Sequence, residues 1–167
     1  MHNVDRYVNL SKEFRADINW WIKAVSTWNG IYLFEETSWI QPHIPKFYTD
    51  ASNIGAGATF ENHFTASIWS PNLNPVIVDI NLRELMAIII AISTFRRLWT
   101  RKKYVLYTDN AACVANIKRG YASNPLASKI IHDIYEQQII FSFAIRVEHV
   151  PSIQNLHADM LSRRQYT

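Results

Sequence analysis

The chain has 167 residues, 49% hydrophobic and 19% charged, the profile of one soluble globular domain with a full core, which excludes a disordered or fibrous segment. A formal net charge of +3 permits a polyanionic partner without requiring one. The single cysteine, Cys113, excludes an internal disulfide framework and leaves an intracellular protein with a buried thiol as the expectation.

The first fourteen residues lack the basic-then-apolar pattern of a signal peptide. The longest apolar run, residues 85–92, is far short of the ~20 residues that span a bilayer. No membrane association is therefore expected. From Phe14 onward, Phe14, Ile18, Trp21, Val25 and Trp28 recur at intervals of four and three, the period of one helix face, and Asn29-Gly30 ends the pattern. The stretch to Pro45 reads as an extended segment and connector. Residues 1–44 thus form an N-terminal arm ahead of a domain at 45–167.

Residues 46–49 predict a strand ending at Asp50. Gly55-Ala56-Gly57 predicts a turn, followed by strands at 58–60 and 64–69. Asn81 is a candidate N-cap for a long helix over 82–99, with Leu85, Ile89, Ile92 and Trp99 on one face. Residues 104–108 form a strand ending at Asp109. Asn110 then caps a helix that stops at Lys118-Arg119-Gly120, and Asn124-Pro125 opens another. A last strand over 139–147 and a short helix over 156–163 complete the order βββαβααβα. That order calls for an α/β fold, a mixed five-stranded sheet flanked by helices.

Asp50 and Asp109 follow the same aromatic-threonine pair, in Tyr48-Thr49-Asp50 and Tyr107-Thr108-Asp109. If their strands pair in parallel, the two carboxylates converge at a sheet edge where ligands bind in open α/β folds. Glu84, three residues after Asn81, is either the partner in a capping box or a metal ligand. Asp159, in the first turn of the last helix, either answers the helix dipole or joins the same site. Four carboxylates in one cleft must stay apart, take up protons or be neutralised by cations. Oxygen donors without a Cys or His pair select Mg²⁺ or Mn²⁺ over zinc. Two such ions ~4 Å apart suit in-line phosphodiester hydrolysis.

These segments, YTDASNIGAGATF, INLRELMAI, YTDNAACVANI and EHVPSIQNLHADMLSR, resemble in order and spacing those of the ribonuclease H family. The resemblance covers roughly residues 46–164 and is greatest to the ribonuclease H domains of DIRS-type and related retrotransposon polyproteins, whose Asn-x-x-Ala-Asp-x-Leu-Ser-Arg ending is matched at 155–163. It implies a ribonuclease H-like fold and hydrolysis of the RNA strand of RNA–DNA hybrids during reverse transcription. Asp50, Glu84, Asp109 and Asp159 would hold two Mg²⁺ ions, with Mn²⁺ as the alternative.

His149, ten residues before Asp159, corresponds to the family's mobile histidine, with a role in proton transfer or product release. The family's glycine-rich loop after this histidine is replaced by Val150-Pro151-Ser152-Ile153. The same resemblance implies hybrid contacts by Asn81, Asn110 and the main chain of Ala51 and Ser52. It also implies phosphate contacts from the basic group Arg96 to Lys103, in particular Arg101, Lys102 and Lys103. The arm, with Asp17-Ile18-Asn19-Trp20-Trp21, resembles the segment that joins such domains to a reverse transcriptase polymerase, which makes that polymerase the expected partner. Two competing readings are a catalytically silent scaffold of the same fold and another nuclease of the same superfamily.

Overall fold

The computed structural model describes residues 8–28, 46–99 and 103–165. Five strands form one mixed sheet: β1 (Lys46–Ala51), β2 (Gly55–Phe60), β3 (His63–Ile68), β4 (Lys103–Thr108) and β5 (Ala144–His149), in the order β3-β2-β1-β4-β5. β1, β2 and β3 pair antiparallel, whereas β4 and β5 run parallel to β1. Helices α1 (Lys12–Thr27), α2 (Ile80–Phe95), α3 (Ala111–Arg119), α4 (Pro125–Phe141) and α5 (Leu156–Ser162) complete the chain. The predicted order of elements and the mixed five-stranded sheet are both present.

Several boundaries moved. Gly55-Ala56-Gly57 lies inside β2 rather than in a turn, because α5 sits so close above it that only glycine fits at position 57. A Cβ there would stand 2.3 Å from the Ala158 carbonyl and 2.5 Å from the Ser162 nitrogen. α2 starts at Ile80 with Asp79, not Asn81, as its N-cap, the Asp79 side chain accepting from Asn81 N–H. It ends at Phe95, and a 3₁₀ turn follows at Arg96–Leu98. The last strand begins at Ala144, because the apolar residues 139–141 continue α4 until Ser142 closes that helix in the left-handed region. A short apolar run such as this fits a buried strand or a helix end equally well.

Residues opposed across an antiparallel pair point to the same face. Phe47, Thr49 and Ala51 therefore share a face with Phe60, Ala58 and Ala56, and this face packs against α2, whose Leu85, Ile88, Ala91 and Ile92 are fully buried. The opposite face, with Asp50 beside Gly57, carries α5, where Ala158 and Leu161 are buried. At the starts of the parallel strands Trp99 is enclosed by aromatic rings, with centroids 4.9 Å from Phe47, 4.5 Å from Tyr104 and 5.1 Å from Phe143. The carboxylates lie at the other end of those strands.

The predicted arm helix exists, and its periodic apolar face is left exposed. Phe14, Ile18, Trp21, Val25 and Trp28 are exposed, and only Ala24 is fully buried. α1 meets α4 through a neighbouring stripe. Trp20 stacks on His132, Lys23 pairs with Glu136 at 2.7 Å, and Asp17 lies 3.8 Å from His132. Asn29-Gly30 and the division at residue 44 lie outside the described residues. Among the described residues no helix is long and apolar enough to cross a membrane.

Candidate metal centre

The parallel register sets the site. Tyr48 stands opposite Tyr107, so Asp50 and Asp109, each two residues further on, emerge side by side at the edge of the sheet. Glu84 reaches them from the second turn of α2. Ligand oxygens of Asp50, Glu84 and Asp109 all lie within 4.8 Å of one another, with Asp50 and Glu84 buried and Asp109 half-buried. Asp159 is displaced to the rim. Its Oδ1 accepts from Arg163 Nε at 2.6 Å, one helical turn along α5, and it is not part of the compact three-residue cluster. Its charge is nonetheless felt by Asp50 and Glu84.

Burial and mutual repulsion make this cluster costly without a cation. Burial, reinforced by Asp50 and Asp109, pushes the Glu84 carboxyl up to about 9, against an opposing main-chain hydrogen bond from Ala51. Burial also raises Asp50 to about 6, with Asp109 and Asp159 adding to the shift and the Ser162 hydroxyl opposing it. Glu84 Oε2 is buried with no hydrogen-bond partner, a state that costs free energy unless something outside the protein completes it. The all-oxygen donor set fits a hard divalent cation such as Mg²⁺ or Mn²⁺.

No family model matches the chain, and no curated protein sequence matches it. Solved structures do. The ribonuclease H1 called LC11, isolated from compost by a metagenomic approach, superposes with a TM-score of 0.59 at 17% identity, over 72% of this chain and 94% of that one. The same enzyme in complex with an RNA/DNA hybrid gives a TM-score of 0.58 at 17% identity, again over 72% and 94%. Ribonuclease H1 from the archaeon Halobacterium salinarum gives 0.55 at 17% identity, over 73% and 98%. The fold is the ribonuclease H fold.

Within this ribonuclease H fold the remaining expected site residues fall into two groups. His149, Asn81 and Asn110 lie beside the carboxylates. His149 ends β5 with Nε2 3.1 Å from the Asp109 carbonyl. Asn110 caps α3 by accepting from Cys113 N–H at 2.9 Å and donates Nδ2 to Asn81 Oδ1 at 3.0 Å, while Asn81 Nδ2 donates to Asp79. Each amide retains a second N–H beyond these bonds. Cys113 is buried, as expected, with its thiol directed at the Asn81 carbonyl.

The second group is engaged within the fold, lies away from the carboxylates or falls outside the described residues. Ser52 N–H donates to Gly55, and its carbonyl accepts from Trp69 Nε1 and Arg83 Nη1, so its main chain is engaged inside the fold. Ala51 is buried in the ladder opposite Ala56, with its main chain hydrogen-bonded to the Glu84 carboxyl. Lys103 starts β4, at the far end from Asp109, which places it roughly 20 Å along the strand from the carboxylates. Arg96 stacks on Phe141 and hydrogen-bonds Gln137, which ties the start of the basic group to α4. Arg101 and Lys102 lie outside the described residues.

Four residues with no role assigned from the sequence support the site. Asn155 donates Nδ2 to the Thr49 carbonyl at 2.9 Å and approaches Asp50 Oδ1 at 3.4 Å. Ser162 donates to Asp50 Oδ2 at 2.7 Å. Ser152 donates to Asp109 Oδ2 at 2.6 Å. Arg83, buried next to Glu84, holds Ile77, Ser52 and Asn53 together. The spacing of Asn155, Asp159 and Ser162 at i, i+4 and i+7 puts them on one helix face, a signal present in the sequence. For Arg83 and Ser152 the sequence carries none.

Proposed function

We propose that this chain is a metal-dependent endonuclease that hydrolyses the RNA strand of RNA–DNA hybrids. The observation that carries the reading is the convergence of Asp50, Glu84 and Asp109 at the sheet edge in a fold shared with ribonucleases H1, one of which was solved with an RNA/DNA hybrid. Divalent ions bound by these three carboxylates and Asp159 would supply charge neutralisation and Lewis-acid activation for in-line attack on a phosphodiester. Asp159, on the rim and paired with Arg163, is the ligand that must turn inward to complete the set. His149, exposed beside Asp109, would move a proton at the reacting phosphate or help product leave. Asn81 and Asn110 flank the carboxylates and offer amide N–H groups to the minor groove of the hybrid, where 2′-hydroxyls distinguish RNA.

The finer setting we assign is reverse transcription, beside the polymerase domain of a retrotransposon polyprotein in the cell interior. The residues 155–163 and the arm support this by their resemblance to such elements. The deciding experiment is cleavage of a labelled RNA–DNA hybrid, with duplex RNA and duplex DNA as controls, in Mg²⁺, Mn²⁺ and EDTA. Metal-dependent cutting of only the RNA strand of the hybrid is expected. An intact hybrid in both metals would overturn the catalytic reading in favour of a silent scaffold.

A further inference from the structure

The geometry points to Ser162 as a positioning residue that holds the Asp50 carboxylate in its metal-binding orientation and ties it to the Asp159 backbone. This rests on the metal-centre reading above. Ser162 is the last residue of α5 and has no exposed surface. Its hydroxyl lies 2.7 Å from Asp50 Oδ2 and 2.9 Å from the Asp159 carbonyl. One proton serves two acceptors, so the hydroxyl bridges two of the four candidate ligands, one by its side chain and the other by its main chain.

The surroundings keep this hydroxyl in place. The Ser162 carbonyl, which the end of a helix leaves without an intrahelical partner, accepts from Ser52 Oγ at 2.7 Å. Ser52 Oγ in turn accepts from the N–H groups of Ile54 and Gly55, fixing the turn that follows β1. Gly57 lets the helix backbone descend onto β2 directly across from Asp50. Asn155 holds the other carboxylate oxygen from the start of the same helix. The Asp50 side chain is thereby bracketed from both ends of α5, and Ser162 makes the shorter of the two contacts.

A hydrogen bond that orients a metal-binding carboxylate contributes to affinity and to turnover, and its loss typically costs tenfold or more in either. Alanine at position 162 removes the hydroxyl while keeping a residue that favours helix. The test uses the whole chain, with Mn²⁺ as the probe, and measures free ion by electron paramagnetic resonance in the absence of nucleic acid. Ser162→Ala is expected to raise the Mn²⁺ Kd about tenfold, and to lower kcat with the KM for hybrid unchanged, at a melting temperature close to that of the unaltered chain. Ser162→Thr, which restores a hydroxyl, is expected to recover most of the affinity. Unchanged Mn²⁺ affinity and kcat in Ser162→Ala would overturn the assignment while leaving the nuclease reading intact. Weaker Mn²⁺ binding by Ser162→Ala in a chain that cuts no hybrid would support the assignment and defeat the nuclease reading. Absence of Mn²⁺ binding by the unaltered chain would overturn both.

Discussion

Tyr48 and Tyr107 face each other across the parallel β1–β4 pair, with their rings stacked at 5.1 Å. That single register carries the aspartates that follow them to the same edge. A slip of one residue would turn one aspartate to the opposite face of the sheet, because side chains alternate along a strand. The pair is therefore the structural reason that two distant Tyr-Thr-Asp sequences become one site.

Asp109→Asn is expected to reduce cleavage by roughly a thousandfold or more, since it keeps the shape of the side chain and removes a charge that the cations require. Its far-ultraviolet circular dichroism and unfolding midpoint should match those of the unaltered chain. Residual activity above a tenth of normal would argue against a ligand role for Asp109.

The cluster also makes stability depend on pH. A carboxyl raised in the folded state holds its proton more tightly when folded, so its contribution is present in full below the unfolded value and is lost as pH rises through the folded one. For Asp50 the window runs from 3.8 to about 6, and for Glu84 from 4.5 to about 9. In EDTA the melting temperature should therefore fall between about pH 4 and pH 9. Glu84→Gln should flatten that fall and melt several degrees higher than the unaltered chain at pH 8 (about 4–8 °C per kcal/mol in small domains, about half that in larger ones), although it loses activity.

Metal binding must then expel protons. Mg²⁺ or Mn²⁺ should raise the melting temperature, and binding should release protons near neutral pH, because Glu84 gives up the proton it otherwise retains. Isothermal titration in two buffers of different ionisation enthalpy measures the number directly. Identical heats in both buffers would mean that the carboxyls are already ionised.

Gly57→Ala is expected to destabilise the fold by about 3 kcal/mol, because the new methyl meets helix backbone that has no rotamer by which to give way. Urea unfolding gives the magnitude. Since α5 must lift to admit the methyl, the Mn²⁺ affinity of whatever remains folded should fall as well. Loss of stability with unaltered affinity would separate the seating of α5 from the metal centre.

His149→Ala is expected to lower kcat by about a hundredfold, within the range for a group that moves a proton in the transition state, while leaving Mn²⁺ affinity unchanged. The side chain is exposed and touches Asp109 only through its carbonyl oxygen, so the carboxylates do not depend on it. A large loss of metal binding in this variant would assign His149 a structural role.

Much of this was legible in the chain itself. The paired Tyr-Thr-Asp sequences located two carboxylates, and the alternation of strand and helix signals predicted the sheet. Asn110, Gly120 and Asn124-Pro125 marked helix ends where the structure has them, because caps and stops act through neighbouring backbone groups. What the sequence could not decide depends on atoms brought together from far apart. The approach of α5 to β2 turned a predicted turn into a strand. The exposure of Phe14, Ile18 and Trp21 was not written in the arm's pattern, since periodicity identifies an apolar face without saying which surface covers it. The capping of α2 passed from Asn81 to Asp79, leaving Asn81 to meet Asn110, twenty-nine residues away. Local signals rest on nearest-neighbour hydrogen bonds and are written along the chain, whereas the separation of Asp159 from the other carboxylates and the placement of Ser162 against Asp50 follow from packing, which only the folded chain decides.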